Sequence, residues 1–194
     1  MTYETFLQHF GKPRSNTTAS LESLRLDHSR ELSQFVAEAK GGVFGDGFIS
    51  IVSVREQVPD LGGWQAWLPE GARLFATSAF GVLYATRGDD VWVVNTQYGE
   101  IIESDLSMRE AIIDLASPET REELFQESLF QAGNAIAGPL ADDSVLCPVP
   151  AIPLGGSWSA QTLKQMPLVI YLSFTAQLFG PEPGTEVHVI RRGE

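Results

Sequence analysis

Covalent chemistry needs nucleophiles, bases, metal ligands or phosphate cradles, and this chain offers few of them. Cys147 is its one cysteine, and His9, His28 and His188 are its three histidines. A cysteine beside a histidine would be a nucleophile with its base. Cys147, however, stands between Leu146 and Pro148, apolar neighbours that suit a small buried residue better than an activated thiolate. The histidines are scattered, with no cysteine or carboxylate at ligand spacing, so no zinc site is expected. Asp89-Asp90 and Asp142-Asp143 are adjacent acids of the kind that cation sites use, but turns use them more often. Gly42, Gly45 and Gly47 could be read as a phosphate cradle. No Lys-Ser or Lys-Thr comes after them, and a strand rather than a helix N-terminus is next, so a plain turn is the better reading. Gly-x-Ser-x-Gly, His-Glu-x-x-His and Walker patterns do not occur. The expectation is a protein without a catalytic residue, a metal or a cofactor.

What the chain has in excess is carboxylate. Its formal net charge is -12 and its pI is near 4.6. Residues 89–127 carry eleven Asp and Glu against Arg109 and Arg121, which is nine of those twelve net charges. A surface of that sign repels nucleic acid and anionic membranes, and it speeds encounter with a basic protein. The candidate contact residues for such a partner are Glu103, Asp105, Glu119, Glu122, Glu123 and Glu127, with Phe130 as an apolar anchor among the glutamates. The plainer reading of the same residues is a solvated helix face and hairpin rim, with Phe130 packed under a neighbouring element.

The elements that must position these groups emerge from periodicity. Thr5 to Phe10 reads as a short helix ended by Gly11 and Pro13, and residues 15–20 as a polar connector. Leu32, Phe35, Val36 and Ala39 recur at helical spacing before Gly41-Gly42. Residues 43–104 then alternate short apolar runs with turn signals at Gly45-Asp46-Gly47, Gly81, Asp89-Asp90 and Tyr98-Gly99, which predicts an antiparallel meander. An irregular connector over residues 55–73 holds Trp64 and Trp67, aromatic residues that more often plug a core edge than bind a ligand. Leu106 to Leu115 looks helical. Ser117-Pro118-Glu119 starts another helix, on which Phe125, Leu129, Ala132 and Ile136 share one face and the glutamates the other. The three prolines of residues 141–159 force an extended or looped course. Pro167 then suits the first turn of a last helix to Phe179, apolar nearly all round and so expected to be buried, with a tail strand from Glu186 to Ile190. With one cysteine no disulfide forms within the chain. MTYETFLQHFGKPR lacks the charge and apolar run of a signal peptide, and Leu168 to Phe179 is too short to span a bilayer, so a soluble, cytoplasmic protein is expected.

Taken together these segments describe an α+β protein: an antiparallel sheet in the N-terminal and middle part with flanking helices, and a mostly helical C-terminal part. In combination they resemble the bacterial immunity proteins of type VI secretion DNase effectors, in which a GAD-like domain precedes a characteristic immunity C-terminal domain. The N-terminal likeness rests on the helix before GGVFGDGFISI, on LFATSAFGVLY and on VWVVNTQYGEIIES. The C-terminal likeness rests on ELFQESLFQAGNAIAGPLADDSVLCPVPAIPLGGS and on LVIYLSFTAQLFG. These motifs cover most of residues 30–180 and imply a GAD-like domain over 1–114 and an immunity-type domain over 115–194, packed together. The resemblance further implies a protein expressed beside a toxic nuclease, which it binds and silences in the cytoplasm of the producing cell, and it transfers no catalytic residues to this chain. Two other classes make distinct demands. A small-molecule or nucleotide-sensing module needs a deep pocket lined by the tryptophans and residues 41–47, and a hydrolase needs Cys147 beside a histidine in a cleft.

Overall fold

The computed structural model describes residues 3–14, 30–53, 55–57 and 59–179. The polar connector at 15–20 and the tail strand expected at 186–190 lie outside the described residues, as do His28 and His188. Helix α1 (Glu4–Phe10) and helix α2 (Arg30–Ala39) precede a six-stranded sheet. Its strands are β1 (Gly42–Phe44), β2 (Ile49–Ile51), β3 (Arg73–Ser78), β4 (Leu83–Arg87), β5 (Asp90–Asn95) and β6 (Glu100–Ser104). They lie side by side in chain order, each antiparallel to the next, as the turn spacing demands. The architecture is α+β.

Alternation along the central strands sends side chains to two different cores. Val91 and Val93 of β5 and Tyr84 of β4 face the first, with Tyr3, Phe6, Phe35, Phe44, Phe48 and Ile112. Its rings interlock edge to face, Phe6 on Phe35 at 5.2 Å and Tyr3 on Phe35 at 5.1 Å. Trp92 and Val94, with Leu83 and Ala85, face the second core, which Trp64, Leu168, Tyr171 and Leu172 cover from the far side. Trp64 is fully buried and donates from Nε1 to Thr175 Oγ1 at 3.1 Å, so the connector of short 3-10 turns (Pro59–Trp67) is a core plug as its aromatics predict.

Chain beyond residue 114 enters both cores. Phe125, Phe130, Leu140, Leu146 and Leu163 join the first, while Val145, Cys147 and the last helix complete the second. Helix α3 (Met108–Asp114) opens with a reciprocal capping box between Ser107 and Glu110, which holds the Glu110 carboxyl below its ordinary value. The C-terminal part also contains a strand pair that periodicity misses, β7 (Ser144–Pro148) against β8 (Leu163–Pro167).

Two expectations are corrected. The helix beginning at Pro118 does not run on to Ile136. Ser117 Oγ accepts from Thr120 N as an N-cap should, but Thr120–Leu124 widens to a π-turn in which Phe125 N reaches Thr120 O. Gln126 then takes a left-handed conformation (φ 52°, ψ 54°), and a new helix, α4 (Glu127–Ala137), starts in a different phase. Phe130 and Gly133 turn inward, and Ala132 and Ile136, assigned to the buried face by a continuous projection, are exposed. The last helix, α5 (Leu168–Leu178), stands just after Pro167 at the end of β8, and it is not buried all round. Leu168, Tyr171, Leu172, Thr175 and Ala176 face the core, while Val169, Ile170 and Phe174 are exposed, Ile170 by 56%. The helix caps the outside of one sheet face, with no further layer over it among the described residues.

Candidate functional site

The phase change at Gln126 assembles a cleft. The end of α1 supplies His9 and Phe10, the turn at Gly45–Gly47 supplies Gly45 and Asp46, and α4 supplies Glu127, Phe130, Gln131 and Asn134, with Phe48 beneath. Its volume is about 460 Å³. The floor is aromatic, with Phe48 packed on Phe130 at 5.2 Å and on Phe10 at 5.9 Å. Around the floor stand the carboxylates Asp46 and Glu127, with His9, Gln131 and Asn134, which can both donate and accept. Glu127 takes a short ion pair from Arg121 and lies 3.1 Å from His9 Nε2. Arg121 Nη1 also meets His9 Nε2 at 2.7 Å, and its Nε donates to Ala116 O at 3.2 Å. Asp46 is held with φ 57° between two glycines, and Arg14 donates to its carbonyl at 3.3 Å, leaving the carboxylate without an ion-pair partner among the described residues. Asn134 Oδ1 is buried with no hydrogen-bond partner among the described residues.

The sequence-derived candidates separate. Glu127 and Phe130 meet in this cleft. Phe130 is 4% exposed, so it is core and cleft floor rather than a protruding anchor; the left-handed Gln126 rotates it away from the glutamates. Glu122 accepts from Ser128 N at 3.2 Å and so caps the start of α4. Glu119 and Glu123 are exposed on the turn before the break, and Asp105 is exposed just after β6. Glu103 sits half-buried on β6 opposite Trp92. None of these last four has an ion-pair partner among the described residues. His9, Asp46 and Asn134 are cleft residues that sequence reasoning does not single out. Asp46 between glycines signals a turn and nothing more, and no local signal marks His9 or Asn134, which need the tertiary fold to meet.

The other sequence candidates are accounted for by local structure. Asp142 pairs with Arg14, Asp143 accepts from Ser144 Oγ at 3.0 Å, and Asp90 lies 3.9 Å from Arg87. Among the described residues no three His, Cys, Asp or Glu are grouped to hold a metal. Neither Trp64 nor Trp67 lines the cleft. Cys147 is 4% exposed, with Sγ 3.7 Å from Lys164 O, and burial pushes its thiol up from about 9 to about 11. That shift opposes nucleophilic use. It also sets a pH dependence. An unfolded thiol ionises near 9 and the folded one only near 11, so the stability gained from the neutral thiol is complete below about 9 and is lost as pH rises to about 11. The stability advantage of the natural chain over Cys147→Ala, from denaturation midpoints, is therefore expected to shrink between those two pH values.

Among the described residues no helix is long and apolar enough to cross a membrane. No family model and no curated protein matches the chain. Among solved structures, the crystal structure of Atu4351 from Agrobacterium tumefaciens is similar to it, with a TM-score of 0.69 at 16% identity over 91% of this chain and 89% of that one. At that identity the likeness is one of fold.

Proposed function

We propose that this chain is a non-catalytic immunity protein that binds and neutralises a cognate type VI secretion toxin, a DNase, in the cytoplasm of the cell that makes both. The observation that carries the proposal is the set of uncompensated carboxylates, Glu103, Asp105, Glu119 and Glu123, on a chain of net charge -12. A nuclease must present a basic cleft to its substrate, and a folded carboxylate surface is complementary to such a cleft. The motif resemblance over residues 30–180 supports the same partner. Binding alone suffices for the role, since a toxin whose cleft is occupied cannot admit DNA.

Co-expression with the proteins encoded beside its gene, among which a toxic nuclease is expected, tests this. The chain should restore growth and co-elute with the nuclease as a stable complex; a cell that dies despite abundant folded protein overturns the proposal. Glu119 and Glu123 are the residues to reverse, because Glu122 and Glu127 have structural bonds that confuse the result. The double variant Glu119→Lys, Glu123→Lys is expected to weaken toxin binding about tenfold, chiefly through slower association, and to flatten its salt dependence. Unchanged affinity with unchanged melting would remove this face from the interface.

A further inference from the structure

We propose that residues 186–190 of this chain, which lie outside the described residues, dock on the open edge of β6 and extend the sheet by one strand. The two edges of the sheet differ. At β1 the chain that follows α1 is in place, with Arg14 N donating to Val43 O at 2.7 Å. At β6 the backbone pairs with β5 on one side, and among the described residues no backbone group bonds the other side. Alternate residues of such an edge point their N–H and C=O outward, and those groups can be met by one more strand.

Helix α5 carries the chain to that edge. Tyr171, in its first turn, lies against Gly81 between β3 and β4, and Phe179, just past its end, lies against Gly99, the residue before β6. A Cβ on Gly99 would stand 2.5 Å from Phe179 Cδ1. Residues 180–185, GPEPGT, are rich in turn formers and reach at most about 20 Å, against about 17 Å for the length of β6, so the next segment can start at either end of the edge. That segment, EVHVI, has three β-branched residues and suits a strand. Charge selects it over a second copy of the chain. A second β6 would bring Glu100 and Glu103 against carboxylates of the same sign. Residues 186–192 instead bring Arg191 and Arg192 against one acid, Glu186. Parallel to β6 the added strand sets the arginines toward Asp105, and antiparallel it sets them toward Glu100. The toxin test above uses Glu119 and Glu123 on a different element, so the two proposals fail separately.

Amide hydrogen exchange of the isotope-labelled full chain, read by NMR, tests the inference. Nuclear Overhauser contacts are expected between residues 186–190 and 100–104. The β6 amides directed away from β5 should exchange about a hundredfold more slowly than those of an unstructured peptide. His188→Pro and Val189→Pro are the variants to compare. Of two neighbours in a strand one directs its N–H at β6, so at least one proline removes a ladder bond. That variant should speed exchange of the outward β6 amides about tenfold or more, while α4 amides keep their rates and report that the rest of the fold is intact. Replacing both Arg191 and Arg192 with glutamate should speed the same amides about threefold. Outward β6 amides that exchange as fast as a free peptide overturn the inference. So does protection that neither proline changes, that rises with protein concentration as a second copy would require, or that develops only when a partner protein is bound.

Discussion

Replacing Arg55 with methionine is expected to lower stability by about 3 kcal/mol, or the melting temperature by about 10 °C, without any change at the surface. Arg55 is 1% exposed, and backbone oxygens rather than solvent meet its guanidinium. It donates to three carbonyls: Gly47 at 3.0 Å, Asp142 at 3.1 Å and Ala141 at 3.4 Å. Burial lowers its pKa to about 10 while Glu56 and Asp142 pull it back up, so the side chain stays charged at neutral pH. Methionine can fill the volume of the stem but donates nothing, and each carbonyl left without a partner costs about 1 kcal/mol or more. Lysine at this position should recover less than half the loss, since one ammonium cannot match a fork spread over two chain segments. Melting monitored by tryptophan fluorescence checks this, and a loss under about 1 kcal/mol would mean that the carbonyls are rehydrated instead. Because Gly47 directly follows Asp46, the bond from Arg55 to Gly47 O also braces the turn that forms one wall of the cleft.

Gly81→Ala is expected to cost about 3 kcal/mol or more, against about 1 kcal/mol for Gly88→Ala. Both glycines have positive φ, 78° and 63°, in turns between sheet strands, so both variants meet the same backbone penalty. They differ in surroundings. A Cβ on Gly88 would meet nothing within 4 Å, whereas one on Gly81 would lie 2.3 Å from Tyr171 Cε1. Tyr171 cannot withdraw cheaply. Its hydroxyl lies 2.8 Å from Thr96 Oγ1, bonds Gln97 and donates to Phe80 O at 3.3 Å, a buried network that ties α5 to the sheet. Urea denaturation of the two single variants separates conformational strain from collision, and equal losses would show that the ring moves aside without cost.

The parts of this fold that are legible in the sequence are those governed by neighbours in the chain. Alternation in DDVWVV and turn signals at Gly81 and Asp89-Asp90 define the meander, because strands joined by short turns pair with whatever comes next. Ser117-Pro118 likewise marks its helix start correctly. Legibility fails where distant partners decide. Gln126 carries no turn signal, and its left-handed conformation is stabilised by the contacts that α4 then makes, with Phe130 packing on Phe48 and Glu127 pairing with Arg121. Strand β8 escapes sequence reasoning because LKQMP lacks alternation and gains its order from pairing with β7. The candidate site is half visible for the same reason: Glu127 stands out as charge, while His9 and Asn134 acquire meaning only once α1 and α4 come together.

The order of the meander leaves β6 paired on one side only among the described residues. A bare strand edge is a template on which a second copy of the chain can add its own edge and begin an aggregate. On β6 that template carries Glu100 and Glu103 within five residues. Two such edges aligned about a two-fold axis would bring carboxylates of like sign together, which opposes pairing at neutral pH. Charge at Glu100 and Glu103 thus works against edge-to-edge pairing of two copies, so raising the salt concentration or neutralising both carboxylates weakens that protection.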